Sequence, residues 1–249
     1  MVINLKWTRQ EIKILKNHYL NKGEEHISNL INKSPNAIRI KASRLGVKRL
    51  NRQIKLSSNE KQILLGSLLG DMYCRIRKMC KNAHIEESHS KKQENYLSWK
   101  IDNLKSMSFN LRETRLGTMH CESRVYPILK YYHKLFYNNG KKRVNRRILD
   151  KLSALGLAVW YMDDGSYSKR DKNSRIYTNG FSYEENLIIQ KWFEEKWSFY
   201  SKVYSCLKRG KRFYFIAFNV GETKKLIKSI GSHVHKSMKY KMGKLTGGV

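Results

Sequence analysis

Two apolar segments of similar sequence each end in aspartate, and the two aspartates lie 93 positions apart. The segments LLGSLLGDMYCRIRK at 64–78 and LAVWYMDDGSYSKRD at 157–171 both combine an apolar, helix-like run, an acid and a basic segment typical of a strand. Asp71 and Asp164 occupy the same place in the two copies. A repeat of this length indicates duplication of half a domain rather than a short solenoid unit.

Acidic side chains at these two positions are unfavourable unless something neutralises them. A helix C-terminus carries about half a negative charge, and a carboxylate there loses roughly 0.3 to 1 kcal/mol. If Asp71 and Asp164 meet at two such ends they repel, and a hard cation such as Mg²⁺, which binds carboxylates, water and phosphate oxygens, removes the conflict. A single Asp-Gly is a common polar helix stop, but two symmetric copies favour a metal site.

The spacing of two glycines predicts how the acids meet. Gly66 and Gly70 are four residues apart and lie on one helix face, where they allow another backbone to approach closely. Side-by-side packing of the two motif helices would bring Asp71 and Asp164 together beneath the sheets. Val159 stands where a small residue would mirror Gly66, and we therefore expect a helix interface that is less than symmetric.

Each motif is followed by the same order of predicted elements: a hairpin, a helix, a second hairpin and a helix. In the first copy these elements fall at about residues 72–90, 91–107, 109–124 and 126–138. In the second copy they fall at about 166–182, at YEENLIIQKWFEEKW, around the turn Lys208-Arg209-Gly210-Lys211, and near 222–231. With the motif helices in front, this order predicts an α+β fold of two pseudo-symmetric αββαββα repeats with two antiparallel sheets.

The charge of the chain indicates what it binds. Lys and Arg number 51 against 20 Asp and Glu, a formal net charge of +31. A surface this positive attracts polyanions, so nucleic acid is the expected partner. Carboxylate-bound metal in such a protein favours hydrolysis of a phosphodiester, in which the cation polarises the phosphate and stabilises the leaving oxygen. A ribosomal-type RNA binder, or a chain that is merely rich in lysine, is the alternative.

Membrane association and secretion are not expected. No stretch approaches the roughly 18 consecutive apolar residues of a membrane span. The N-terminal sequence MVINLKWTRQ lacks the apolar core of a secretion signal. We therefore expect an intracellular protein, in a bacterial or phage cytoplasm or an organelle matrix.

Residues 1–50 predict a small domain of three helices ahead of the repeats. Thr8 starts the first helix with a capping box, a second short helix covers about 24–31, and Ser34 followed by proline begins the third. Three residues of the third helix would point outward into a DNA major groove, as in a helix-turn-helix of the Myb/SANT-like type: Asn36, Arg39 and Ser43. A module that docks another protein is the alternative.

Composition and helix-capping patterns predict where the linker and the two repeats begin and end. Residues 51–58 are charged and show little apolar periodicity, which predicts a linker. A second capping-box pattern at Ser57 and Glu60 then opens the first motif helix. The repeats would occupy 59–249, with repeat one at about 59–140 and repeat two at about 141–249.

The paired segments LLGSLLGDM and LAVWYMDDG resemble the signatures of LAGLIDADG homing endonucleases in their single-chain, two-repeat form. The blocks YYHKLFYNNGKK, IYTNGFSYEEN and HKSMKYKMG are similar to those of mitochondrial intron-encoded members of that family. The likeness spans about residues 59–243. Two motifs at this separation, with the flanking blocks in order, are a far stronger signal than one motif alone.

This resemblance implies a monomer whose two sheets form a saddle in the major groove of double-stranded DNA. It implies that both strands of a long, asymmetric site are cut with Mg²⁺ or Mn²⁺. Asp71 and Asp164 become the metal-binding acids, one per strand, and the backbone carbonyls of Gly70 and Asp163 approach the metal. The basic residues of the active site become Lys142 and Lys241, for which phosphate contact or simple solvation is the alternative.

Basic residues on the predicted hairpins would contact DNA bases or phosphates. They are Arg75, Arg77, Lys78, Lys169, Arg170, Lys172, Arg175, Lys208, Arg209, Lys211 and Arg212. Three other functions stay open: an intron RNA maturase on the same scaffold, with intron RNA as its partner, a DNA-binding regulator that does not cut, and a structural RNA binder. A DNA-binding regulator and a structural RNA binder would not need the two aspartates, whereas a maturase on this scaffold could retain both.

Overall fold

The computed structural model describes residues 6–47, 53–78 and 80–246. The chain divides into two compact units, Met1–Arg52 and Gln53–Val249, and each unit has its own apolar core. Among the helices of the described ranges, none has the length and apolar character needed to cross a bilayer.

The first unit contains helix α1 (Arg9–Ser28) and helix α2 (Pro35–Arg44). Thr8 caps α1 with the expected capping box, and the Ser34 side chain accepts from the third residue of its helix. The predicted first and second helices join in α1, but at Gly23 the backbone leaves helical geometry, with φ 76° and ψ −173°. Six buried residues form the core: Leu15, Tyr19, Ile27, Ile31, Ile38 and Ala42.

The second unit begins with the motif helix α3 (Ser58–Leu69), which is opened by the predicted capping box of Ser57 and Glu60. Its first half continues through β1 (Tyr73–Arg75), β2 (His84–Ser90), α4 (Glu94–Asn103), β3 (Phe109–Glu113), β4 (Thr118–Ser123) and α5 (Pro127–Phe136). A connection follows with β5 (Tyr137–Asn138), β6 (Lys141–Lys142) and α6 (Arg146–Leu149). Leu56, which falls within the predicted linker, is buried in this unit's core.

The second half repeats the same order of elements. It contains α7 (Ala154–Asp164), β7 (Gly165–Ser168), β8 (Asn173–Tyr177), α8 (Tyr183–Trp197), β9 (Ser201–Lys208), β10 (Lys211–Phe218) and α9 (Val220–Ile230). Two 3₁₀ segments follow, Gly231–His233 and Lys236–Thr246. The two four-stranded antiparallel sheets are ordered β1-β2-β4-β3 and β7-β8-β10-β9, the same topology twice. The predicted α+β class and paired repeats are confirmed.

Backbone contact between α3 and α7 joins the two halves. A Cβ atom added to Gly66 would lie 2.2 Å from the carbonyl oxygen of Gly156 and 2.8 Å from Cβ of Val159. Glycine is therefore required at 66, as its spacing from Gly70 predicts. The interface is also asymmetric as expected, because Val159 packs over Gly66 and a glycine one turn earlier, at 156, provides the close approach.

A methyl group added at Gly66 tests the interface between α3 and α7. We expect Gly66→Ala to lower the free energy of unfolding by about 1–3 kcal/mol, since an added methyl group meets backbone that has no room to move. Gly180→Ala is the matched control, because a Cβ there meets nothing within 4 Å. Urea unfolding followed by circular dichroism measures both, and equal stability of the two variants would contradict the interface described.

Candidate active site

Asp71 and Asp164 lie at the C-terminal ends of α3 and α7. Asp164 is the last residue of α7, and Asp71 follows Gly70, which caps α3. The backbone N–H of Asp71 donates to Oδ2 of Asp163 at 3.3 Å, so one helix end is bonded directly to the other. The structure therefore brings together the two motif ends that carry the acids.

The Asp164 carboxyl is crowded by negative charge. Burial, followed by the charges of Asp71 and Asp163, raises the pKa of Asp164 to about 8. The Asp71 side chain is exposed. Since each helix C-terminus adds its own partial negative charge, this end of the helix pair holds more negative charge than its surroundings neutralise.

Lys142 and Lys241 occupy equivalent places beside the two acids. Nζ of Lys142 donates to the carbonyl oxygen of Gly70 at 2.9 Å, and Nζ of Lys241 donates to that of Asp163 at 2.8 Å. Each lysine also donates to one neighbouring carbonyl. Gly70 and Asp163 directly precede the two acids. The family resemblance assigns their carbonyls to a metal, and in this structure each carbonyl accepts a hydrogen bond from a lysine ammonium group.

Different elements deliver the two lysines. Lys142 lies on β6, after a tight turn in which Asn139 and Gly140 have φ 48° and 74°, while Lys241 lies in the last 3₁₀ segment. An Asn-Gly pair between short strands favours this kind of hairpin. Burial lowers the pKa of both ammonium groups, although the nearby carboxylates act in the opposite direction.

A buried ionic network beneath the acids was missed by sequence analysis. Lys100 is fully buried on α4, and its Nζ donates to Oε1 of Glu87 at 2.5 Å and to Oδ1 of Asp163 at 2.6 Å. The Tyr96 hydroxyl donates to the same Asp163 oxygen at 2.8 Å, and His89 Nε2 lies 2.6 Å from Glu87. A lysine on the buried face of α4 was the available signal, but its partners come from two distant segments.

Lys100 and His89 lower the cost of burying the Glu87 carboxylate in this network. Burial raises the pKa of the Glu87 carboxyl, but the attraction of Lys100 and the bond to His89 outweigh burial, so the pKa lies below its usual value. Ligand atoms of Asp71, Glu87, His89 and Asp163 lie within 4.8 Å of one another. Lys100 bonds to two of these carboxylates and so reduces, with its single positive charge, the repulsion between Glu87 and Asp163.

Among the residues that the structure describes, the carboxylates of Asp71 and Asp164 form no salt bridge, although Lys142 and Lys241 lie near enough to attract both. The carbonyl oxygens of Gly70 and Asp163 lie at the same helix ends and can accept a second bond each. Such an all-oxygen set suits a hard divalent cation, Mg²⁺ or Mn²⁺, and does not suit metals that prefer sulfur. The crowding that raises the pKa of Asp164 is the structural reason why a cation fits here.

On the first sheet, the predicted DNA-binding arginines have carboxylate partners. Nε of Arg75 lies 2.7 Å from Glu86, and Arg77 is bonded to Glu122. The two glutamates are cross-strand neighbours, and Nε2 of His84 lies 3.4 Å and 3.3 Å from them. The arginines were predicted from the sequence and the glutamates were not, although strand alternation places these glutamates on the face away from the helices.

The second sheet combines exposed basic turns with aromatic side chains. Predicted residues that are exposed in or near the turns are Lys169, Arg170, Lys172, Lys208, Arg209, Lys211 and Arg212, and Lys78 is exposed after β1. The guanidinium of Arg175 lies 5.3 Å from the centre of the Phe215 ring, and Tyr204 stacks with that ring at 5.7 Å between centroids. These three side chains line a hollow of about 400 Å³.

Paired αββαββα repeats whose motif helices end in acids define the LAGLIDADG class. The sequence profile of the LAGLIDADG DNA endonuclease family matches residues 61–226, more than half of the chain, and the protein belongs to this family. The structure is similar to that of the homing endonuclease I-WcaI bound to its DNA recognition sequence, with a TM-score of 0.65 and 21% identity over 86% of this chain and 96% of that one.

Three curated relatives that match part of this sequence are proteins of different kinds. The probable intron-encoded DNA endonuclease 3 of Mycosarcoma maydis is 34% identical over 50% of this chain and 97% of its own length. The cytochrome b mRNA maturase bI2 of Debaryomyces hansenii is 28% identical over 73% and 72%. Protein RecA of Mycolicibacterium chitae is 33% identical over 55% of this chain, which matches only 33% of that protein.

Removal of one crowded charge should stabilise the protein when divalent cations are absent. The raised pKa of Asp164 means that its carboxylate lowers stability as the pH rises from about 4, its unfolded pKa, to about 8. In EDTA we expect Asp164→Asn to melt several degrees above the wild type at pH 9, with a smaller gap at pH 5. Thermal unfolding measures this, with Asp171→Asn on the exposed β7–β8 turn as control. An Asp164→Asn variant that is less stable at pH 9 would contradict the charge crowding.

Proposed function

We propose that the protein is a site-specific homing endonuclease that makes a metal-dependent double-strand break in DNA at a long, asymmetric target. The observation that carries this proposal is the paired arrangement at the helix ends. Each motif presents one aspartate, Asp71 or Asp164, and one lysine, Lys142 or Lys241, bonded to the carbonyl before that aspartate. Two equivalent half-sites under two sheets suit the two strands of a duplex, and the protein acts as a monomer.

The acids would hold Mg²⁺ or Mn²⁺, with the carbonyls of Gly70 and Asp163 alongside. When bound, the cation would polarise the phosphate, make bound water more acidic and stabilise the leaving oxygen. The chain itself supplies the orientation, because Asp71 is bonded to the end of the other motif helix. Lys142 and Lys241 place positive charge within the site, where they would position the attacking water and reduce the repulsion of phosphate.

The two sheets would read the duplex through its major groove. The first sheet offers arginines paired with glutamates, and the second offers aromatic rings with Arg175. Arginine reads guanine, glutamate accepts from cytosine, and apolar groups contact the thymine methyl. Different chemistry on the two sheets supports an asymmetric target. The relative I-WcaI, whose structure is bound to its DNA recognition sequence, supports the same partner.

Residues 1–50 are proposed as a helix-turn-helix domain that extends the DNA footprint or helps target search, followed by a linker at 51–58. Asn36, Arg39 and Ser43 are exposed on α2, as such a role requires. Within 59–249, the boundary between the two repeats is proposed near residue 140. The protein would act inside the cell or organelle that contains its target DNA.

An intron RNA maturase is the second candidate function. The likeness to the cytochrome b mRNA maturase of Debaryomyces hansenii covers 73% of this chain, more than the likeness to the intron-encoded endonuclease. Retention of both aspartates favours cleavage without excluding a splicing role, because one scaffold can serve both activities.

Cleavage assays with single substitutions test the endonuclease directly. The substrate is DNA carrying the insertion locus with the element removed, in 5 to 10 mM Mg²⁺ as a rough working range. We expect specific linear product from the wild type, and a loss of about 10²-fold or more in Asp71→Asn and Asp164→Asn. Lys142→Met and Lys241→Met should lose about 10-fold to 10³-fold.

The same assays separate the alternatives. Stimulated splicing of intron RNA without DNA cleavage would favour the maturase, and specific DNA binding without cleavage would favour a regulator. Full activity in both aspartate variants would remove these residues from the site and overturn the proposed mechanism.

Charge removal tests whether the second sheet's long hairpin contacts DNA. Changing Lys208, Arg209 and Lys211 to Gln should weaken binding and reduce the slope of log K against log salt concentration by about two to three, since each lost phosphate contact lowers it by about 0.9. The matched control changes three exposed lysines of helices α8 and α9 to Gln: Lys191, Lys224 and Lys228. Both triple variants lose the same net charge, and equal salt slopes in the two would contradict a specific role of the hairpin.

A further inference from the structure

The two half-sites differ at the residue before each acid. Gly70 precedes Asp71, whereas Asp163 precedes Asp164. A Cβ atom added to Gly70 would lie 2.5 Å from both Cβ and Oδ2 of Asp163. The Asp163 side chain therefore occupies the space over Gly70, and the pseudo-symmetry of the motifs is broken at this pair as well as at Gly66 and Val159.

The Asp163 carboxylate connects Asp71 to the first repeat's buried network. Its Oδ2 accepts from the backbone N–H of Asp71 at 3.3 Å, while its Oδ1 accepts from Lys100 at 2.6 Å and from the Tyr96 hydroxyl at 2.8 Å. Lys100 is in turn bonded to Glu87 at 2.5 Å. The side chains of Lys100, Glu87 and Asp163 are all fully buried, so the backbone of Asp71 is fixed from inside the core.

Asp164 has no counterpart of this support in the described part of the chain. The position equivalent to Asp163 is a glycine, which has no side chain to accept from the second motif. Asp164 belongs to α7 itself and continues directly into β7 at Gly165. Asp71, by contrast, lies beyond the end of α3, where Lys142 bonds to the flanking carbonyls of Gly70 and Met72 and the Asp163 carboxylate accepts from the N–H of Asp71 itself.

We propose that Asp163, Lys100 and Glu87 form a positioning device for Asp71 alone, so that hydrolysis of one DNA strand depends on this network and hydrolysis of the other does not. The inference rests on the proposed function, in which each aspartate serves one strand. A misplacement of about 1 Å in a catalytic group can reduce the rate by about 10²-fold. Loosening the network should therefore slow one strand and convert the enzyme into a nicking enzyme.

Strand-specific kinetics test this proposal. A duplex target is labelled on each strand separately, and the rate of cutting is measured per strand with Mg²⁺. Asp71→Asn and Asp164→Asn first identify which strand depends on which aspartate. Asp163→Asn is the main variant, because an amide has one acceptor oxygen, which cannot stand both at the position that faces the Asp71 N–H and at the position that faces Lys100.

We expect Asp163→Asn to slow the strand that depends on Asp71 by about 10-fold to 10²-fold, and to slow it more than the other strand, where the substitution removes only a charge beside Asp164. Nicked circles should accumulate from a supercoiled plasmid. Tyr96→Phe, which removes one hydroxyl and keeps every charge, should shift the ratio in the same direction by about two- to fivefold, and it keeps the test valid if Asp163→Asn fails to fold. Thr178→Val is the matched control, because Thr178 makes buried hydrogen bonds in the second repeat, one of them to Asn186.

The possible outcomes are distinct. Equal slowing of both strands in Asp163→Asn and Tyr96→Phe, or no change in either, would overturn the positioning role while the endonuclease proposal stands. A strand bias in Thr178→Val as large as in Tyr96→Phe would also overturn it, since general loosening would then be the cause. If neither aspartate variant affects cleavage, the proposed function itself fails.

Discussion

Close backbone packing of α3 against α7 is the constraint on which the rest of the structure depends. With Gly66 against the carbonyl of Gly156, the two motif helices end side by side and their partial negative charges add. Placing Asp71 and Asp164 at these ends increases the repulsion. Lys142, Lys241 and the buried ammonium group of Lys100 all lie where they reduce the repulsion at this meeting point of the two helices.

Lysine side chains at two depths in the protein reduce this repulsion. Lys100 lies in the core and compensates Glu87 and Asp163, whereas Lys142 and Lys241 bind backbone carbonyls nearer the surface. An isolated buried charge is costly, but one with several partners is tolerated. Lys100 thus engages the inner acids, and the outer acids Asp71 and Asp164 are left to a cation and a phosphate.

Local patterns were sufficient for much of the fold and for the principal acids. Capping boxes at Thr8 and Ser57, the glycine spacing and the repeated order of elements all depend on residues close in sequence. The contacts of Lys100 could not be predicted in this way, because Glu87 approaches it only when α4 packs on β2, and Asp163 only after both repeats fold. The β5–β6 hairpin was predictable from its Asn-Gly turn, but the turn was interpreted only as part of a family motif.

The mismatch of Gly70 with Asp163 also makes the two repeats complementary rather than interchangeable. A side chain at position 70 would overlap Cβ and Oδ2 of Asp163, so the residue without a side chain fits opposite this carboxylate. A copy of the second repeat in place of the first would put two carboxylates into the same space. Fusion of two unlike repeats in one chain therefore permits a contact that two second repeats could not make.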